Sequence, residues 1–91
     1  MIRLNCFIAV EESKRAQLLE AAKRLTEASL KQEGCIAYDI FESATRPNVL
    51  MFCETWLDEE ALRLHSESDV FRKEVAVIHS LGEMKLERFK F

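Results

Sequence analysis

The chain has 91 residues, with 13 Lys or Arg against 16 Asp or Glu, for a formal net charge of −3. That length makes one domain spanning residues 1–91, and the absence of any basic run argues against a nucleic-acid groove. The apolar fraction of 48% is generous for a chain that buries only about 60–65% of its unfolded surface, so a second copy is expected to cover part of it.

The first twelve residues, MIRLNCFIAVEE, lack the basic stretch, long apolar run and small-residue cleavage site of a secretion signal. No apolar run approaches the about 20 residues that span a bilayer. No membrane association is expected, and the expected location is the cytoplasm. Cys6, Cys35 and Cys53 show no CxxC spacing and sit inside apolar patterns. They read as buried, reduced thiols rather than a disulfide or metal site.

Residues 2–10 alternate with the period of a strand. Ile2, Leu4, Cys6, Ile8 and Val10 form an apolar face that should lie against helices; Arg3, Asn5, Phe7 and Ala9 form a mixed face. Residues 12–33 read as a long helix with Ser13 as N-cap. Ala16, Leu18, Leu19, Ala22, Leu25 and Ala28 recur at helical spacing, and Gly34 ends the run. Residues 35–43 form a strand, with Ile36, Tyr38 and Ile40 on one face and Cys35, Ala37, Asp39 and Phe41 on the other. A loop punctuated by Pro47 follows. Residues 49–56 form the third strand, Val49, Met51 and Cys53 opposing Leu50, Phe52, Glu54 and Trp56. Asp58 caps a helix to about Ser66, with Glu59 and Glu60 in its first turn. Ser68 or Asp69 restarts a helix through Phe71, Val75 and Ile78, Gly82 stops it, and residues 83–91 make the last strand.

This order predicts an α+β fold of the ferredoxin-like βαββαβ type, with a four-stranded antiparallel sheet. One helix layer covers only one sheet face. The other face is expected to hold Phe7, Phe41, Phe52 and Trp56, with Asn5, Asp39 and Glu54 among them. Four aromatics left open would form a large apolar patch. Sheet-against-sheet pairing of two copies would remove it.

Residues 33–56 read EGCIAYDIFESATRPNVLMFCETW, and residues 58–71 read DEEALRLHSESDVF. A Gly opens an apolar strand, a Pro-Asn turn leads to a strand ending in Glu-x-Trp, and an acidic-capped helix with one His follows. This order resembles the antibiotic-biosynthesis monooxygenase family over nearly the whole chain. The resemblance implies a dimeric α/β barrel with a cavity in each protomer. It also implies either cofactor-independent oxidation of a quinol-like compound or, as in another branch, isomerisation of a phosphorylated quorum-signal sugar. The family's haem-degrading branch has a Trp where this chain has His65 and its haem ligand near Val75, so only Asn5 matches it and haem is not expected. No Gly-rich phosphate loop, metal-ligand cluster or Ser-His-Asp order is present, so no cofactor or metal is expected.

The resemblance nominates His65 and Asn5 as catalytic. His65 follows Asp58 by seven residues, as in the quinol-type and quorum-signal branches, and an ordinary pKa near 6.5 lets it exchange protons at neutral pH. The competing reading is a surface His at a helix end, where the dipole favours its cation; even as proton carrier, its place near a helix end is expected to leave the melting temperature nearly unchanged on replacement. Asn5 could donate to developing negative charge, or simply bond a neighbour or water. Trp56, Phe7 and Phe52 are candidate aromatic walls for a substrate. Glu54 is a candidate substrate-binding carboxylate with a raised pKa, against the competing expectation of a salt bridge to Arg3. His79 reads as an ordinary helix-end residue. The reading these residues support is a homodimeric, cofactor-independent monooxygenase of a small aromatic compound. An isomerase of a small oxygenated metabolite and a non-catalytic ligand-binding dimer are the alternatives.

Overall fold

The computed structural model describes residues 1–91. Its elements run β1 (Ile2–Val10), α1 (Glu12–Ser29), β2 (Cys35–Glu42), β3 (Val49–Trp56), α2 (Glu59–Glu67), α3 (Asp69–Leu81) and β4 (Gly82–Lys90). The strands form one antiparallel sheet in the order β2-β3-β1-β4, the ferredoxin-like arrangement expected. The three helices lie on one side of it. No helix is long and apolar enough to cross a membrane.

The local rules account for most boundaries. The Asp58 carboxylate accepts from the Ala61 N–H at 2.9 Å and starts α2. The Ser68 hydroxyl accepts from the Phe71 N–H at 3.3 Å and starts α3. Ser13 is not the cap of α1: Glu11 occupies that position and makes no side-chain cap bond. The helix also ends earlier than its pattern suggests, at Ser29, with Leu30 as C-cap. Gly34 therefore serves the turn into β2. Its φ of +81° is left-handed, and a Cβ there would lie 2.4 Å from the Ala61 Cβ. Its carbonyl accepts from the Leu57 N–H at 2.8 Å, which ties the start of β2 to the end of β3 and seats α2 against both.

The core lies between sheet and helices. Ile2, Ile8, Leu50 and Trp56 meet Leu18, Leu25 and Ile78 there, all essentially inaccessible. Ala21 and Ala22 let α1 approach the sheet closely. Arg24 on α1 grips the buried Glu74 of α3 through two bonds of 2.9 and 3.1 Å, a fork geometry that fixes the two helices side by side.

The register corrects one expectation. Directly paired residues of antiparallel strands point to the same side. Ile2 pairs with Trp56, Leu4 with Glu54 and Cys6 with Phe52. Phe52, Glu54 and Trp56 thus join the apolar face of β1 under the helices, and all three are buried. They do not share a face with Asn5 and Phe7, which pair with Cys53 and Met51. Both faces of β3 are largely apolar, so alternation alone could not say which one the helices cover. Phe7 and Phe41 do lie on the open face as expected, where Met51 and Phe89 accompany them. A register shift between Cys35 and Ala37 also separates those two residues, bringing Cys35 opposite Trp56 and leaving Ile36 exposed.

Candidate functional site

A cavity of about 390 Å³ lies between the sheet and the helices. Tyr38 and Phe52 rise from the sheet, Leu62 and His65 come from α2, and Phe71 and Val75 from α3. Met84, Leu86 and Arg88 of β4 also line it, Leu86 largely exposed. Arg88 pairs with Glu59 of α2. Glu54 faces the same space, because it lies one pleat from Phe52 on the same side of β3.

His65 stands in an aromatic box. Its ring stacks on Trp56 at 4.4 Å between centroids, and it meets Phe71 and Tyr38 at 4.9 and 5.6 Å. The residue is only 2% exposed, which removes the reading of a surface helix-end cation. Burial instead pulls its pKa from 6.5 down to about 4, so the imidazole is neutral at neutral pH. Nδ1 lies 2.6 Å from the Gln32 Oε1. Nε2 is buried with no hydrogen-bond partner and sits 4.0 Å from the Glu54 Oε1.

Glu54 has no lysine or arginine partner. The expected bridge to Arg3 does not form, because Arg3 is on the other face and contacts the Cys53 Sγ at 2.9 Å. The Trp56 indole N–H donates to the Glu54 Oε1 at 2.8 Å. Burial pushes the carboxyl from 4.5 up to about 7, while the Trp56 N–H and the nearby Tyr38 hydroxyl hold it back. Burial also drives the Tyr38 phenol well above its usual range, so it stays protonated. A neutral base thus faces a carboxyl that titrates near neutrality.

Of the residues nominated from sequence, His65, Glu54 and Phe52 line this cavity, and Trp56 lies directly behind His65. Asn5 and Phe7 do not. They sit across the sheet, and the Asn5 Oδ1 is buried without a partner there. Sequence reasoning missed Tyr38, Phe71 and Gln32. The single Tyr on an apolar strand face was a usable signal for the first. Nothing local marks Gln32, which reaches His65 only because the turn between α1 and β2 lies beside α2.

The two perturbed groups act oppositely on stability. Glu54 has its folded pKa raised, so its contribution is full below 4.5 and is lost as pH rises through about 7. His65 has its folded pKa depressed, so its contribution is full above 6.5 and is lost as pH falls through about 4. Glu54→Gln is expected to lessen the decline towards pH 8. The variant should gain on the wild type between pH 4.5 and 8 by up to about 3 kcal/mol, the equivalent of moving a pKa from 4.5 to about 7. Urea unfolding at both pH values measures it. A constant difference would mean that the carboxyl is not buried as described.

A four-stranded sheet with helices on one side, and a mostly apolar cavity beside a buried His–Glu pair, define a small α+β protein with a candidate ligand pocket. The sequence profile described as antibiotic biosynthesis monooxygenase matches residues 1–77. The chain is 37% identical over 76 residues to YcnE of Bacillus subtilis, a candidate monooxygenase, covering 84% of this chain and 80% of that protein. It is 54% identical to a crystal structure from Bacteroides thetaiotaomicron of a protein of unknown function described as a possible oxidoreductase, with a TM-score of 0.97 and coverage of 99% and 96%. SnoaB, a cofactor-independent oxygenase from Streptomyces nogalater, shares the fold at 14% identity, with a TM-score of 0.88 and coverage of 99% and 91%. The chain belongs to the antibiotic biosynthesis monooxygenase family, which gives it a monooxygenase-like role.

Proposed function

We propose that the protein is a homodimeric monooxygenase that oxidises a small planar aromatic, quinol-like compound without a bound cofactor. The observation that carries this reading is the buried, unpartnered Nε2 of His65, a residue of the cavity wall, with Glu54 4.0 Å away. A buried acceptor with no donor is one that a substrate hydroxyl would satisfy once it displaces the side chains packed over that nitrogen. His65 takes that proton, and the resulting anion supplies electrons to O₂. The substrate loses two hydrogens and gains one oxygen atom. The other oxygen leaves as water, so all four electrons come from the substrate. Ionised Glu54 stabilises the imidazolium formed in the first step, and the apolar lining keeps water from the anion.

The cavity volume and its aromatic lining suit a planar ring system. A phosphorylated sugar would find Arg88 as the only Lys or Arg lining the space, already paired with Glu59. The isomerase reading is weaker for that reason. The direct test is oxygen uptake with a dihydroxynaphthalene-type quinol. One O₂ consumed per quinone formed is expected. Product formed without oxygen loss would replace the oxygenase with an isomerase, and tight binding of the quinol without turnover would leave a ligand-binding module.

Asn5 and Phe7 belong, in this reading, to the dimer interface rather than to the reaction. Phe7, Phe41, Met51 and Phe89 form an apolar strip, among charged residues such as Arg3, Lys85 and Glu87, on the face with no helix over it. A second sheet would cover it and could satisfy the Asn5 Oδ1. Such an interface commonly buries about 2,000 Å² or more. Sedimentation at low micromolar concentration should give a stable dimer, with a melting temperature that falls on dilution. A folded 10.6 kDa monomer under those conditions would remove the sheet-to-sheet dimer.

A further inference from the structure

The chain uses three hydrogen bonds behind His65 to decide which ring nitrogen carries the proton. The Ser68 hydroxyl donates its single proton to the His65 carbonyl at 2.6 Å. Its oxygen can then only accept from the Gln32 side chain, at 3.3 Å, so that side must be the Nε2 amide group. The Gln32 Oε1 is thereby turned towards the His65 Nδ1 at 2.6 Å. A carbonyl oxygen only accepts, so in the neutral ring Nδ1 must carry the proton. Nε2 is left with a free lone pair, buried and without a partner. The hydrogen bond at one ring nitrogen sets the state of the other.

We infer that Gln32, oriented by Ser68, is a positioning residue that holds the proton of His65 on Nδ1 and so keeps Nε2 a proton acceptor. The role is worth a dedicated contact because a free histidine side chain prefers the opposite tautomer, which would make Nε2 a donor. The assignment deepens the reading of His65 as proton carrier and rests on it for its functional meaning. Its structural content stands separately: the tautomer is observable without any substrate.

The test uses the full chain and ¹⁵N NMR of its two histidines, with His65 assigned from the spectrum of His65→Gln. Wild type should show a protonated Nδ1 and an unprotonated Nε2 at neutral pH. Gln32→Met, similar in size but without an acceptor, should move a substantial fraction of the ring to the Nε2–H form. Gln32→Glu should keep Nδ1 protonated, since a carboxylate also only accepts. Ser68→Ala should give a mixture, because the amide is then free to turn, and Ser68→Thr should restore the wild-type pattern. With the dihydroxynaphthalene-type quinol, Gln32→Met should lower kcat by at least about 10-fold while KM stays nearly constant, less than the full loss of a general base. A wild-type Nε2–H tautomer, or a Gln32→Met protein that keeps Nδ1–H, overturns the assignment. If instead the tautomer responds as described but His65→Gln retains full turnover, the positioning contact stands and the proposed catalytic role of His65 falls.

Discussion

Replacing His65 with Gln is expected to lower turnover by about 10²–10⁴-fold, the usual yield of a positioned general base. The Gln side chain can still accept a hydrogen bond in the cavity, but it cannot hold the transferred proton. Stability should fall as well, by about 1–3 kcal/mol, because the ring is sandwiched against Trp56 and edged by Phe71 and Tyr38. That cost differs from what a helix-end His would show, and it follows from burial alone. Kinetics should therefore be run where circular dichroism shows the variant fully folded. Unchanged turnover there would take His65 out of the mechanism.

Trp56→Ala is expected to cost about 3–5 kcal/mol, the range for deleting a large buried aromatic. Trp56 is fully buried, and its indole N–H is the donor that holds the Glu54 carboxylate at 2.8 Å. Its loss opens a cavity behind His65 and leaves a buried acceptor unsatisfied. Against a total of about 5–15 kcal/mol for a small domain, this brings the chain close to unfolding. Trp56→Phe separates the two effects. It keeps most of the packing but removes the N–H, so it should cost less while raising the Glu54 pKa further. Urea unfolding of both variants, with the carboxyl followed by NMR titration, measures each part. A Trp56→Ala protein within about 1 kcal/mol of wild type would place Trp56 outside the core.

Much of the fold was legible because its signals are local. Asp58 and Ser68 cap helices through their own backbone neighbours three residues on. Gly34 marks a backbone conformation that a side chain resists. The alternation of Ile2, Leu4, Cys6, Ile8 and Val10 identifies one buried face without reference to any other strand. His65 and Glu54 stood out as titratable groups among aromatics, and both are in the cavity.

Which nominated residues meet was a different matter. Alternation within a strand divides its residues into two sets but does not say which set faces which neighbour. In β1 one face is polar enough to answer the question; in β3 neither is. Only the pairing of Leu4 with Glu54, rather than Asn5 with Glu54, put the carboxylate beside His65 and left Asn5 across the sheet. A slip of one residue in that register would exchange the two faces. The contact between Gln32 and His65 spans 33 residues and exists only because the turn from α1 into β2 is brought beside α2. The sequence by itself determined the strand and helix order, the family and the residue types able to move a proton, since these depend on neighbours along the chain. The tertiary structure decided which face holds the cavity, which nitrogen of His65 meets Gln32 and why Glu54 titrates near neutrality. Those properties arise from desolvation and pairing between distant segments, and no local pattern encodes them.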